Sequence, residues 1–368
     1  MQRYLSTLIW IFTLIIVAVG LVALYSASYH NPRVSDHIFY DQLMIALTGF
    51  GLMFYLSRLD YHKWYDTSYF FYGVMIFFLV LVLVSGRHAL GAQRWLNIAG
   101  ISFQPSEFAK LFYILAMARY FSSCRSAISF RYLSFSQSLW RHLILPLVMT
   151  LLPMVLIFKQ PDLGTALLFF GIFSVMLFVS GLEYRYVFFL LFLCLLTAPL
   201  GWFILKPYQK DRLLVFMNPN IDPLGAGYTI IQAKIAIGSG RLLGKGWLGG
   251  TQNQLNFLPE RHTDFIFSVI GEEWGLLGTL FLLLCFFGLV YCGLKVAEQV
   301  KDRFGMQLCL GITTIITLQF VINMGMVMGL CPIVGLTLPL VSYGRSSFLV
   351  TMIMMGILLS LSKKRRVF

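Results

Sequence analysis

The sequence predicts an all-α fold, a polytopic integral membrane bundle of about ten transmembrane helices with one long extracytoplasmic loop. Hydrophobic residues make up 58% of the 368 residues and charged residues 12%, whereas soluble domains carry about 25% charge. Apolar segments of bilayer-spanning length recur along the whole chain. Lysines and arginines collect in every second loop, which is the topology signal of an inner-membrane protein.

The spans follow from the length of each apolar segment, because a helix needs about 20 apolar residues to cross the hydrocarbon core. The fourth span carries Glu107 and Lys110, which predicts that it faces the bundle interior or a cavity. The predicted spans are residues 8–29, 38–57, 67–85, 103–121, 142–159, 163–181, 186–205, 264–294, 305–330 and 340–361.

Charge placement predicts the orientation of the bundle. Ten spans put both termini on one side of the membrane, and the loops on that side hold more than half of the 28 basic residues. By the positive-inside rule both termini are therefore cytoplasmic. The net charge of +13 is a topology signal rather than a nucleic-acid-binding surface. Residues 206–263 form an external loop between spans seven and eight, and the chain is one membrane domain over residues 1–368.

Charged side chains near membrane depth are costly and mark functional sites, and they cluster in four external segments. The first is GAQRWLNIAGISFQPSEFAK. Glu107 and Lys110 are three positions apart and are therefore neighbours on one helix face. They form either an internal ion pair or part of the wall of a polar cavity. The candidate residues of this segment are Arg94, Trp95, Gln104, Glu107 and Lys110.

The second segment, FKQPDLGT, supplies Lys159, Gln160 and Asp162. Asp162 follows a helix-ending proline and suits the N-cap of the next helix, while the neighbouring lysine suits an anionic phosphate. A capping role alone also accounts for the aspartate. Both interpretations stay open at this point.

The third segment, LNFLPERHTDF, places four ionisable residues at the entrance of the eighth span, among them Glu260, His262 and Asp264. Thr263 or Asp264 either caps that helix or belongs to a site. The fourth segment, VGLTLPLVSYGRSS, offers hydroxyl groups, including that of Ser342.

Motifs of soluble enzymes are missing from the sequence, which contains no P-loop, GxSxG or HExxH pattern. The energy for any reaction therefore comes from an ion gradient or from the substrate itself. External carboxylates together with lysines and arginines indicate an anionic, phosphate-bearing membrane substrate.

Together these segments resemble the SEDS family (shape, elongation, division and sporulation), whose members polymerise peptidoglycan glycan strands. The resemblance covers nearly the whole chain, and the elongation branch, RodA, matches better than the division branch. It rests on GAQRWLNI, FQPSEFAK, KQPDLGT, NPNIDPLGAGYTIIQAKIAIGSG, GKGWLGGTQ, LPERHTDFIFSVIGEEWG and NMGMVMGLCPIVGLTLPLVSYG.

The resemblance implies a glycosyltransferase that uses lipid II, with a class B penicillin-binding protein as transpeptidase partner and further proteins of the elongation complex. The critical acid of the family is the aspartate of the HTDF motif, here Asp264. Other motif positions linked to the substrate cavity are occupied by Trp95, Glu107, Lys110, Asp162 and Lys234.

The chemistry fits those residues. A carboxylate acting as general base accelerates a reaction about 10²–10⁴-fold. Cations stabilise the departing diphosphate, and a divalent cation, Mg²⁺ or Mn²⁺, is a further candidate for that task. Either Asp264 or Asp162 can be the general base, because both lie at external helix starts in the predicted topology. A single inverting displacement is expected, because the diphosphate-linked sugar is α and the product is β. The candidate cations are Arg94, Lys110, Lys159 and Lys234.

Three positions depart from the family pattern. Arg345 stands in YGRS where relatives have YGGS, Arg241 follows GSG where glycine is usual, and Asn256 stands where an acidic residue is expected. None removes either aspartate. The alternatives to an enzyme are a lipid II flippase or other transporter, and a non-catalytic scaffold for a penicillin-binding protein.

Overall fold

A computed structural model describes residues 2–29, 32–89, 92–98, 101–123, 140–181, 188, 192, 196, 203, 205–223 and 225–363. Labels below follow chain order within these ranges. The helices are α1 Gln2–Ser28, α2 Pro32–Leu56, α3 Lys63–Ser85, α4 Pro105–Ser123, α5 Leu145–Lys159, α6 Leu163–Val179, α7 Pro207–Met217, α8 Ala226–Gly240, α9 Thr251–Gln254, α10 Ile266–Gln299, α11 Arg303–Met328 and α12 Arg345–Ser362. A π-helical turn, Trp140–Ile144, leads into α5, and a 3₁₀ turn, Pro219–Ile221, follows α7.

The helical membrane architecture is confirmed. Within the described ranges, α1, α2, α3, α10, α11 and α12 contain helices long and apolar enough to cross a membrane, and α5 and α6 are shorter apolar helices. The less apolar α4 occupies the fourth predicted span. The seventh predicted span, residues 186–205, lies outside the described residues except at isolated positions.

Local chemistry sets several helix ends. Asp302 caps α11 by accepting a 2.7 Å hydrogen bond from the Gly305 amide, and Gly329 ends that helix in the left-handed conformation that glycine adopts at little cost. Gly275, with φ of +64°, kinks α10 near its first third. The short part of α10 before the kink and the longer part after it therefore run in different directions, and α8 packs against α10.

The core lies around α4 and α11. Tyr113 and Lys110 of α4 are completely or almost completely buried, and α11 packs against α4, α6 and α10. Small residues allow close helix approach, as expected inside a membrane. A Cβ on Gly356 of α12 would lie 3.0 Å from the backbone of Met53 in α2.

A small sheet that the sequence analysis did not predict lies between α3 and α4 in the chain. The strands are β1 Arg87–Ala89, β2 Ala92–Ile98 and β3 Ile101–Phe103, paired antiparallel in the order β1-β2-β3. Two of them have only three residues, too few for an alternating pattern to stand out. The predicted long loop, residues 206–263, also has more structure than an irregular connection, since it folds into α7, α8 and α9.

Candidate functional site

A polar cavity of about 500 Å³ lies at the end of the bundle where the sheet, the long loop and the start of α12 meet. It brings together segments that are far apart in the sequence, as the four external clusters predict. Eight of the predicted site residues line it: Arg94, Trp95, Gln104, Glu107, Asp162, Glu260, His262 and Asp264.

The backbone that carries the candidate acid is held by three other parts of the chain. The carbonyl of residue 262 accepts a hydrogen bond from the Tyr343 amide at 2.9 Å. The next carbonyl accepts from the Ser342 hydroxyl at 2.5 Å, and the Asp264 carbonyl accepts from the Asn323 side chain at 2.9 Å. Ser342 therefore positions the segment rather than lining the cavity.

The environment of Asp264 makes it a stronger base than an ordinary carboxylate. The pKa of Asp264 is raised to about 6, mainly by burial and also by the neighbouring Glu260 carboxylate, while Arg212 and Arg94 partly oppose the rise. Burial also lowers the pKa of His262, which favours the neutral imidazole. A carboxylate that titrates close to neutral pH is suited to general-base catalysis.

Asp162 is both a helix cap and a cavity residue. Its Oδ1 accepts a 3.2 Å hydrogen bond from the Thr165 amide at the start of α6, as an N-cap aspartate does. The same oxygen lies 3.9 Å from Nη1 of Arg94. The Arg94 guanidinium also donates to the carbonyls of Gln160, at 3.3 Å, and of Pro161. The turn before α6 thus fixes the direction of Arg94.

Glu107 and Lys110 form the buried ion pair expected from their spacing. Nζ of Lys110 lies 2.6 Å from Oε2 of Glu107, and both side chains are buried. Glu107 reaches the cavity surface, and Lys110 neutralises it from within α4. Breaking such a pair costs about 3–5 kcal/mol because one buried charge is left alone, so the lysine supports the cavity wall.

Besides Lys110 and Ser342, three further predicted residues do not line the cavity. Lys159 is exposed at the end of α5, and Lys234 is exposed on α8 with its ammonium beside Gly329. Gln160 is buried, and its amide donates to the Leu79 carbonyl at 2.9 Å, so it ties α5 to α3.

Arg212 of α7 lines the cavity and was missed by the sequence analysis. Its Nη1 donates to the Ile333 carbonyl at 3.2 Å, and its guanidinium lies 5.9 Å from the centre of the Tyr208 ring. Burial lowers the pKa of Arg212, and Arg94 lowers it further. The only sequence signal is a basic residue one helical turn after Tyr208 in a loop segment, which does not indicate where that helix docks.

An apolar groove of about 240 Å³ adjoins the polar cavity. Arg212 and Leu336 line both spaces and therefore form the border between them. The polar cavity and the apolar groove thus lie side by side. This arrangement suits a molecule with an anionic head and an apolar tail. The other groove residues are Pro161, Leu163, Gly164, Leu167, Tyr208, Gln209, Leu213, Ile322, Cys331, Pro332, Ile333 and Val334.

A divalent cation would have few protein ligands here. Among the residues that the structure describes, no three His, Cys, Asp or Glu side chains come close enough together to hold a metal ion. Magnesium commonly binds through one or two carboxylates plus substrate phosphates, so the substrate would complete any such site. The arginines are the cations that the chain itself supplies.

Similarity to known proteins identifies the family of the chain. The sequence model of the FtsW, RodA and SpoVE family, described as cell cycle proteins, matches residues 6–367. The chain belongs to this family. It is 41% identical to the peptidoglycan glycosyltransferase MrdB of Escherichia coli K12 over 86% of this chain and 84% of the relative. It is 32% identical to the peptidoglycan glycosyltransferase RodA of Treponema pallidum over 96% of each.

Solved structures show the same fold for this FtsW/RodA/SpoVE family member. One comes from a study of how a peptidoglycan synthase complex coordinates polymerization and crosslinking; it has a TM-score of 0.80 and 32% identity, over 96% of both chains. The rod shape determining protein RodA of Thermus thermophilus has a TM-score of 0.69 and 30% identity, over 96% of this chain and 95% of that one. The chain is thus a multi-pass membrane protein of the RodA type.

Proposed function

We propose that this chain is a peptidoglycan glycosyltransferase that polymerises glycan strands from lipid II during cell elongation. Its relatives MrdB and RodA are named peptidoglycan glycosyltransferases. The observation that carries the proposal is the position of Arg212, between the cavity that holds Asp264 and the apolar groove. Lipid II has a sugar head, a diphosphate and a polyprenyl tail, and these three parts match cavity, arginine and groove in order.

Asp264 is the general base of the proposed reaction. It accepts the proton of the acceptor sugar's 4-hydroxyl while that oxygen attacks the anomeric carbon of the donor. The bond from the anomeric carbon to the diphosphate breaks, and the diphosphate leaves with the electron pair. One displacement turns the α linkage into a β linkage, with no covalent enzyme intermediate. Proton acceptance by a positioned carboxylate contributes about 10²–10⁴-fold to such a rate.

Arg94 and Arg212 stabilise the leaving diphosphate. Both guanidiniums lie close enough to influence the pKa of Asp264, so a phosphate beside them also lies beside the base. Arg94 is fixed by the turn before α6 and Arg212 by the Ile333 carbonyl. Groups that are already oriented toward developing charge are worth more than groups that must reorganise.

The polyprenyl chain occupies the apolar groove in this proposal. The groove is lined mainly by aliphatic residues of α6, α7 and the segment before α12. Anchoring the tail there places the diphosphate at Arg212 and the sugar in the cavity. Asp162 serves as the cap that orients Arg94, although it stays a second candidate for the base.

The proposed orientation places both termini in the cytoplasm and the cavity on the outer face of the inner membrane. The distribution of lysine and arginine supports it. The partner is a class B penicillin-binding protein within the elongation complex. Support comes from the similar chain studied in a complex that coordinates polymerization and crosslinking.

The test is glycan polymerisation from lipid II by the protein purified with its penicillin-binding partner. Native protein forms polymer, and Asp264→Asn forms none while remaining folded. Asp162→Asn retains measurable polymer if Asp264 is the base, and loses all of it if the roles are exchanged. Absence of polymer with both native protein and variants, together with lipid II crossing reconstituted vesicles, would replace the enzyme by a transporter.

A further inference from the structure

An exposed group of aromatic rings lies at the same end of the bundle as the cavity. It consists of Tyr25 in α1, Tyr29 directly after α1, Phe39 and Tyr40 in α2, and Trp247 in the loop between α8 and α9. We refer to this group as the aromatic platform. Tyr25 is central, with ring centres 5.3 Å from Phe39 and 5.8 Å from both Tyr29 and Trp247.

The rings remain accessible despite packing against one another. Tyr25, Tyr29, Tyr40 and Trp247 are between 37% and 61% exposed. The Tyr25 and Trp247 rings are nearly parallel, with 30° between their planes. Three separate chain segments therefore contribute rings to one surface.

The platform is connected to the cavity at two points. Arg345 lines the cavity and forms an ion pair with Asp41, the residue directly after Tyr40. The second link is a hydrogen bond that Nε of Arg261 donates to the carbonyl of Ala27 at 2.6 Å. Ala27 lies between Tyr25 and Tyr29 in the chain. The residues on either side of Arg261, Glu260 and His262, line the cavity.

We propose that the aromatic platform binds the growing glycan strand where it leaves the cavity. This inference rests on the proposed function and adds a product site to it. A cavity of about 500 Å³ has the size of a pocket for one small ligand. A strand that lengthens with each transfer therefore extends beyond it, along the nearest surface.

The chemistry of the platform suits sugar rings. One face of a hexose in a β-linked strand presents C–H groups, which pack against aromatic faces, while hydroxyl and acetamido groups project from its edges. The ion pair of Arg345 and Asp41 offers hydrogen-bonding partners for those groups beside the rings, and both side chains are partly exposed. Aromatic surface with a few placed polar groups is the usual composition of a ligand site.

A simple membrane-interface belt is the competing explanation, because tyrosine and tryptophan concentrate there in any membrane protein. Belt residues need only reach the headgroup region individually. Here the rings pack in contact across three segments and adjoin the charged cavity rim, which favours a bound polymer.

The test separates ring stacking from apolar bulk at one position. Trp247→Phe keeps an aromatic face, whereas Trp247→Leu keeps only apolar volume. In the purified complex with its penicillin-binding partner, the leucine variant makes glycan strands about two- to tenfold shorter, the factor expected for one lost aromatic contact, and the phenylalanine variant stays close to native length. Tyr291→Leu, an exposed aromatic toward the other end of α10, leaves strand length unchanged.

Several results would overturn the proposal. Native strand lengths from both Trp247 variants would leave the rings with a membrane role alone. Loss of the penicillin-binding partner from the purified Trp247→Leu complex would make the platform a protein interface.

A binding measurement keeps this inference separate from the proposed function. Lipid-free oligosaccharides of the peptidoglycan disaccharide are titrated against the Asp264→Asn protein with native Trp247 and with Trp247→Leu. We expect weaker binding to the leucine form by the same two- to tenfold factor. Equal affinities would refute the platform even if native protein polymerises, whereas a difference would support the platform even if polymerisation fails.

Discussion

Asn323 of α11 holds the backbone of Asp264 in place from a different helix. Its side-chain amide donates to the Asp264 carbonyl at 2.9 Å and to the Leu336 carbonyl at 2.6 Å, and the side chain is fully buried. One residue thus joins the segment that carries the proposed base to the segment that borders the apolar groove. We expect this link to set the distance between the proposed base and the groove.

Asn323→Leu keeps the volume of the side chain and removes both hydrogen bonds. Each buried carbonyl left without a donor costs about 1–3 kcal/mol, so we expect a lower unfolding temperature in detergent. We also expect kcat to fall at least about tenfold, because small misplacements of reacting groups are costly, with a smaller change in KM for lipid II. Thr317→Val removes a hydroxyl that bonds only within α11 and serves as the control. A native kcat for Asn323→Leu would show that Asp264 does not depend on this link.

The sequence predicted the elements of the site better than the direction of its side chains. Apolar length predicted the described spanning helices, and the charged segments between them contain the eight predicted residues that line the cavity. Lys159 and Lys234 are exposed and do not line the cavity, however. In a membrane both the lipid-facing and the core-facing sides of a helix are apolar, so hydrophobic periodicity says little about which face is buried.

Long-range docking was beyond prediction from the sequence. Arg212 reaches the cavity because α7 docks against the Ile333 carbonyl, more than a hundred residues away. No local pattern in the sequence specifies that contact. Ser342, expected to bind substrate, instead accepts from the Leu338 amide at 2.9 Å and donates to the Thr263 carbonyl. A hydroxyl can fill either role, and only the fold decides.

The pH dependence of the reaction should report Asp264. Its carboxylate must be ionised to accept a proton, so kcat/KM falls below about pH 6. Glu260 raises the pKa of Asp264, and Glu260→Gln removes that negative charge. The acidic limb of the profile therefore moves to lower pH, measured as initial polymerisation rates at low lipid II concentration. Glu298→Gln, on the exposed end of α10, leaves the midpoint in place. An unmoved midpoint in Glu260→Gln would assign the limb to another group.

Arg212→Gln should lower kcat and shift the same limb in the opposite direction. Removing a donor to developing negative charge costs about 10²–10³-fold. Arg212 also lowers the pKa of Asp264, so its loss moves the acidic limb to higher pH. Lys159→Gln is the matched control, since this lysine is exposed outside the cavity, and we expect its rate to stay within about twofold of native. If the two variants lost activity equally, the cavity boundary described here would be wrong.

Gly335 lies beside the carboxylate of Asp264 in a backbone conformation that favours glycine. Its φ of +69° lies in the left-handed region, and a Cβ there would stand 3.5 Å from Oδ2 of Asp264. Gly335→Ala should therefore lower the free energy of unfolding by about 1–2 kcal/mol, measured by denaturation in detergent. It should also lower kcat/KM, because the added methyl group occupies space where the acceptor hydroxyl approaches the base.

The control for Gly335→Ala is Gly73→Ala in α3. No atom lies within 4 Å of a Cβ at Gly73, and alanine in a helix interior is favoured over glycine by about 1 kcal/mol. The same substitution should thus stabilise the protein at one position and destabilise it at the other. Activity should fall only in the Gly335 variant. Full activity in that variant would mean that the acceptor reaches Asp264 from another side of the cavity.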